Sequence, residues 1–135
     1  MINMYHWQNN PSVLAIMPLA ISPLQQYFCN VKYKLMKRVL VQYKVKAGKA
    51  EENIQFVKKV YEELKAKQPE GFRYATFVKP DGVSFAHIAS VETADGINPL
   101  NTIEAFKAFT KDIKDRCEEQ PVTTELTEIG NYNLF

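Results

Sequence analysis

His87 is the side chain that stands out for acid–base chemistry in this sequence of 135 residues. An imidazole changes charge near neutral pH, so it can serve as a general base or as a hydrogen-bond donor. His87 lies in the run Val83 to Val91. Alternation there puts Val83, Phe85, His87, Ala89 and Val91 on one face, and Ser84, Ala86, Ile88, Ser90 and Glu92 on the other. No carboxylate stands at a fixed spacing to orient the ring, so a satisfied structural histidine is the competing reading. Tyr43 and Tyr74 are candidates to line a pocket, and equally candidates for core aromatics whose hydroxyls reach a partner. Arg73 is suited to meet an anion or to lie solvated at a strand edge. Phe106 and Phe109 stand at helical spacing, which reads as core packing before it reads as a ligand box. The candidate catalytic residue is thus His87, with Tyr43, Tyr74, Phe85, Val91 and Phe106 as candidate substrate contacts.

Other chemistries find no support. There is no Gly-rich phosphate loop, no Ser-His-Asp pattern and no zinc spacing, so neither a metal nor a nucleotide cofactor is expected. Cys29 and Cys117 stand alone, without metal or redox spacing, and read as reduced thiols in a cytoplasmic setting. The net charge of +2 gives no case for a nucleic-acid partner. The lysines Lys58, Lys59, Lys65 and Lys67 interleave with Glu62 and Glu63, as on a solvated helix face.

The elements that position His87 follow from periodicity. Phe72 to Val78 and Val83 to Val91 are two strand-like runs joined by Lys79-Pro80-Asp81-Gly82. Proline presets φ, aspartate bonds nearby backbone and glycine takes a positive φ, so this is a hairpin. Val39 to Val45 alternates and forms an earlier strand, ended by Ala47-Gly48. Ala50 to Lys67 follows a helical period, with Ile54, Val57, Tyr61 and Leu64 as its stripe and Val60 beside it. Pro69 and Gly71 stop it. After a loop from Thr93 to Leu100, Asn101 is expected to cap a second helix with Glu104 as capping-box partner. Its stripe is Ile103, Phe106, Phe109 or Thr110, Ile113 and Cys117, and Pro121 is expected to end it. Val122 to Leu134 reads as the last strand, with Leu126, Tyr132 and Leu134 in phase and Gly130 as a bulge.

Residues 1–35 differ from the rest. They carry Lys32 and Lys34 but no Asp, Glu or Arg, while the remainder balances 15 basic against 15 acidic groups. Val13 to Leu24 is apolar but broken by Pro18 and Pro23, and too short for the roughly 20 residues that span a membrane. It could be a signal-peptide core, but no basic residue precedes it. The preferred expectation is a poorly structured extension, with Met36 a workable start for the domain 36–135.

The order β-α-β-β-α-β is a ferredoxin-like split unit of the α+β class, with a four-stranded antiparallel sheet. Two helices cover one sheet face only, so the other face is expected to pair with a second copy, sheet on sheet, and such a pair can enclose a cavity. With that order, Met36 to Phe135 resembles the antibiotic-biosynthesis-monooxygenase-like family of dimeric α/β barrels. The resemblance rests on the strand before Ala47-Gly48, the stretch Val83 to Ser90, the Asn98-Pro99-Leu100 loop, the Phe106 and Phe109 pair, and the closing Gly130-Asn131-Tyr132. It implies a homodimer and a small aromatic or quinol ligand, with cofactor-free oxygenation as the reaction and His87 acting on a phenol. The alternative it leaves open is a non-catalytic dimeric module. The sequence departs from the haem-degrading members, which use an asparagine on the first strand, a tryptophan on the third and a histidine on the second helix. Here Val41 and Val91 stand at the strand positions, and the second helix has no histidine.

Overall fold

The computed structural model describes residues 36–135. The expectations for the N-terminal 35 residues, and for Cys29 among them, lie outside the described residues. Strand β1 spans Lys37–Val45, helix α1 Ala50–Lys67, strand β2 Phe72–Val78 and strand β3 Ser84–Val91. A 3-10 turn at Pro99–Thr102 leads into α2 (Glu104–Lys111), the single turn α3 (Ile113–Arg116) and β4 (Cys117–Leu126). The four strands form one antiparallel sheet in the order β2-β3-β1-β4. This is the expected ferredoxin-like α+β arrangement.

The hairpin forms as its residues dictate. The Gly82 amide donates to the Lys79 carbonyl at 2.9 Å, and Lys79 donates to the Ser84 carbonyl at 2.8 Å. Asp81 Oδ1 accepts from the Val83 and Ser84 amides, and Gly82 takes φ +76°, where glycine escapes the Cβ clash. Bonds from the Ser84 side chain and amide hold the Asp81 carboxyl down at about 2.

The second helical region departs from the sequence reading. Asn98, not Asn101, does the capping: its side chain accepts from the Leu100 amide and opens the 3-10 turn. The α2 N-terminus has no side-chain cap of its own. Glu63 of α1 reaches across instead and accepts from the Glu104 amide at 2.9 Å and the Ala105 amide at 3.0 Å. These are two of the donors a helix start leaves without partners. At the other end, the buried Arg116 donates to the Phe109 carbonyl, with its guanidinium 4.5 Å over the Phe56 ring. Cys117 opens β4 instead of closing the helical stripe, and Pro121 lies inside that strand. Strand β4 is at the sheet edge, and its register with β1 shifts between Gln42 and Lys44. Edges and bulges are where a sheet tolerates the missing N–H of proline. The strand ends at Leu126, so Gly130, Tyr132 and Leu134 are not strand residues, and Tyr132 and Leu134 are exposed.

The helices cover the face bearing Val39, Val41, Tyr43, Phe85, His87 and Ala89. Tyr43, Val45 and Phe85 of the sheet join Val60, Leu100, Ile103 and Phe109 in the main buried cluster. The opposite face is apolar over Leu40, Ala75, Phe77, Ala86, Ile88 and Val122, with Phe77 56% and Val122 63% exposed. At its margin the buried Arg38 pairs with Glu92 and Glu128 and lies 4.4 Å from the Phe135 ring centre.

Candidate functional site

Register places the candidate residues before any side-chain detail. His87 on β3 faces Val41 on β1 and Thr76 on β2. Tyr74 faces Ala89, and Tyr43 faces Phe85. Strand alternation therefore turns Tyr43, Tyr74, Thr76 and His87 to the same side of the sheet, under the helices.

A cavity of about 260 Å³ lies on that side. Its sheet wall is Val39, Val41, Tyr43, Tyr74, His87 and Ala89, and its helical wall is Phe106, Phe109, Thr110 and Ile113. Asn98, Leu100, Pro121 and Thr123 complete it. This cavity sits within one chain, between sheet and helices. Tyr43, Tyr74, His87 and Phe106 are brought together at its wall. Phe85 and Val91 share the strand face but are not part of the lining. Phe85 stacks on Tyr43 with ring centres 5.5 Å apart and lines a separate groove with Ile54 and Val57. Arg73 projects to the open face of the sheet and is exposed.

Along the sheet wall the hydroxyl and imidazole groups form a continuous chain. Asn53 Nδ2 donates to Tyr43 Oη at 2.8 Å. Tyr43 Oη lies 2.9 Å from His87 Nε2. His87 Nδ1 lies 2.6 Å from Tyr74 Oη and 3.0 Å from Thr76 Oγ1. Thr76 Oγ1 lies 2.8 Å from Tyr61 Oη. With Asn53 donating to Tyr43, the order consistent with these contacts has Tyr43 donating to Nε2 and the imidazole proton on Nδ1, shared by Tyr74 and Thr76. No carboxylate is needed to orient the ring, because two tyrosines and a threonine do it.

Burial sets the charge of this chain. His87 is 4% exposed, and desolvation pushes its pKa down to about 4. Burial also pushes the Tyr43 and Tyr74 phenols well above their ordinary range. At neutral pH all three are uncharged, since desolvation penalises the ionised form of each. Both ring nitrogens are engaged, so a substrate proton would reach the imidazole only through a neighbouring hydroxyl. Tyr74 lines the cavity, and its hydroxyl meets His87 Nδ1, which makes it the candidate to take a substrate oxygen. Among the described residues no group of three or more His, Cys, Asp or Glu is placed to hold a metal ion.

Sequence reasoning missed Asn53, Thr76 and Tyr61 as parts of this site. A signal for Asn53 existed: it is in phase with Val57, Val60 and Leu64 and is fully buried. Thr76 follows Tyr74 by two residues, which puts both on one strand face.

Comparison with protein-family models finds none that matches, and no curated protein matches the chain. Solved structures do. The cofactor-independent oxygenase SnoaB from Streptomyces nogalater, solved as a point mutant, superposes with a TM-score of 0.55 at 15% identity, covering 73% of this chain and 97% of its own. A structure described as an antibiotic biosynthesis monooxygenase gives 0.55 at 15% identity, covering 70% and 99%. A conserved protein from Methanosarcina mazei Go1 gives 0.56 at 14% identity, covering 73% and 96%. Over residues 36–135 the chain therefore has the fold of the antibiotic-biosynthesis-monooxygenase-like proteins.

Proposed function

We propose that the cavity takes a small phenolic or quinol-like molecule, its oxygen seated against Tyr74, and that the protein is a cofactor-independent oxygenase. The observation that carries this reading is a mostly apolar cavity with Tyr74 in its wall, held by the buried His87–Tyr43–Asn53 chain. About 260 Å³ lies near the lower end of ligand-pocket volumes and suits one or two rings. A hydrogen bond donated by Tyr74 to the substrate oxygen offsets part of the desolvation that burial imposes on a phenolate. A phenolate-activated carbon can pass electrons to O₂ without a cofactor. The carbon loses two hydrogens and gains one oxygen atom as a carbonyl, and the second oxygen atom leaves as water, so no external reductant is consumed. The likeness in fold to SnoaB, described as a cofactor-independent oxygenase, supports the same reading.

Oxygen uptake with anthrones and hydroquinones tests it. The wild type consumes O₂ in step with carbonyl product, and Tyr74→Phe slows turnover by about a hundredfold or more, the usual loss for a proton-handling group. Absence of uptake on the whole set overturns the oxygenase reading. One observation favours a second reading, a module that binds such ligands without turnover: every titratable group on the cavity wall is neutral near pH 7 and no carboxylate lines it. Saturable binding without uptake would select it.

The open apolar sheet face supports a homodimer formed sheet on sheet. Cys117, buried and unpaired, fits a cytoplasmic protein. No helix of the described residues is long and apolar enough to cross a membrane.

A further inference from the structure

Arg116, the last residue of α3, is only 3% exposed. An arginine cannot shed its proton, so burial leaves a full positive charge inside. A buried charge is normally answered by a carboxylate. Among the described residues Arg116 forms no ion pair, and its Nε has no hydrogen-bond partner. Its contacts are the Phe109 carbonyl, which accepts from Nη2, and two aromatic faces. The guanidinium carbon lies 4.5 Å from the Phe56 ring centre and 5.4 Å from that of Phe109. The charged residues beside it in the chain, Asp112, Lys114, Asp115 and Glu118, are all exposed, where water and salt screen them.

Phe109 ties this charge to the cavity. Its ring lines the cavity, with its centre 5.7 Å from that of His87 and 6.3 Å from that of Tyr43. The guanidinium thus stands one aromatic ring behind the wall, and no carboxylate lines the cavity to oppose its field. We infer that Arg116 is a specificity-determining residue, whose buried charge makes the cavity favour an anionic ligand over its neutral form, a phenolate over the phenol. The inference rests on the phenol-binding reading above. Tyr74 takes the ligand oxygen by contact, while Arg116 touches no ligand and acts through space. The phenol leaves its proton with the buffer as the phenolate binds. Across roughly 10 Å, at an effective dielectric of about 20, one buried charge shifts the preference for the anion by about tenfold. This role explains a charge that packing against Phe56 and a bond to one carbonyl would not require.

The probe is 4-nitrophenol, whose phenolate is coloured. At saturating full-length protein its absorbance across the neutral pH range gives the pKa of the bound ligand, read beside that of the free ligand. In this range His87, Tyr43 and Tyr74 stay neutral, so the ligand alone titrates in the cavity. In the wild type the bound value lies at or below the free one, although burial by itself would raise it. Arg116→Met keeps an unbranched side chain against Phe56 without the charge. It raises the bound value by about one unit, a tenfold weaker preference for the anion, and Arg116→Lys restores most of the difference. A packing role alone would weaken both forms together and leave the bound value in place. An unchanged bound pKa in folded Arg116→Met would therefore overturn the inference and leave the phenol reading standing. A wild-type value well above the free one would do the same, and it decides the matter should Arg116→Met fail a thermal melt. No binding of 4-nitrophenol by the wild type at any pH would overturn the phenol reading, and this inference with it.

Discussion

Between pH 7 and 4, the burial of His87 should make acidification destabilise this protein. Folding lowers the His87 pKa from its ordinary 6.5 to about 4 by burying it. Between those two values the unfolded chain binds a proton that the native chain refuses. Stability therefore falls as pH drops from about 6.5 to about 4, and the loss from this residue is complete below that, where both states are protonated. At about 1.4 kcal/mol for each pH unit, the full loss is about 3 kcal/mol. With a urea dependence of about 1.5 kcal/mol per molar, the unfolding midpoint moves down by about 2 M. Urea unfolding at pH 7, 6, 5 and 4, on the wild type and His87→Gln, isolates the effect. Glutamine keeps one hydrogen bond and does not titrate, so its curve starts lower but lacks this slope. Asp81, held at about 2, loses its contribution below the window and affects both proteins alike, and His6 cancels in the difference. Parallel curves for the two proteins would refute the claim that His87 is held neutral by burial.

Three further outcomes are expected. Gly71→Ala loses about 2 kcal/mol in urea unfolding, because a Cβ there would lie 2.6 Å from the Glu92 carbonyl oxygen at φ +69°; an unchanged midpoint would refute the close approach. Phe77→Glu, on the open sheet face, converts a dimer to monomer by light scattering coupled to size exclusion, and a monomeric wild type would contradict the sheet-on-sheet reading. A chain starting at Met36 melts within a few degrees of the full chain and elutes in the same oligomeric state, since β-α-β-β-α-β is complete from there; aggregation would place residues 1–35 inside the domain.

The parts of the fold legible in the sequence are those governed by a single local rule. Alternation in β1 and β3, the helical stripe of α1 and the Pro-Asp-Gly turn each state their own geometry. The second half departs from its local pattern where a distant partner decides. Pro121 looks like a helix stop because its strand partner is invisible locally, and a bulged edge strand accommodates it. The α2 cap comes from Glu63, 41 residues before Glu104, so Asn101 and Glu104 offer a local motif that the fold does not use. At the site, His87, Tyr43 and Tyr74 are legible as polar groups on apolar faces. Asn53 carries only the weak signal of its phase with Val57, Val60 and Leu64, because a helical asparagine usually reads as solvated surface. The location of the cavity is also out of reach, since it depends on how far α2 stands off the sheet.

The most direct test of the site is where a two-ring phenol binds. In isotope-edited NMR, 2-naphthol should show intermolecular NOEs to the methyl groups of Val41, Ala89, Leu100 and Thr123, which line the cavity beside Tyr74. NOEs confined to Val122 and Ile88 on the opposite sheet face, or none at saturating ligand, would contradict the account.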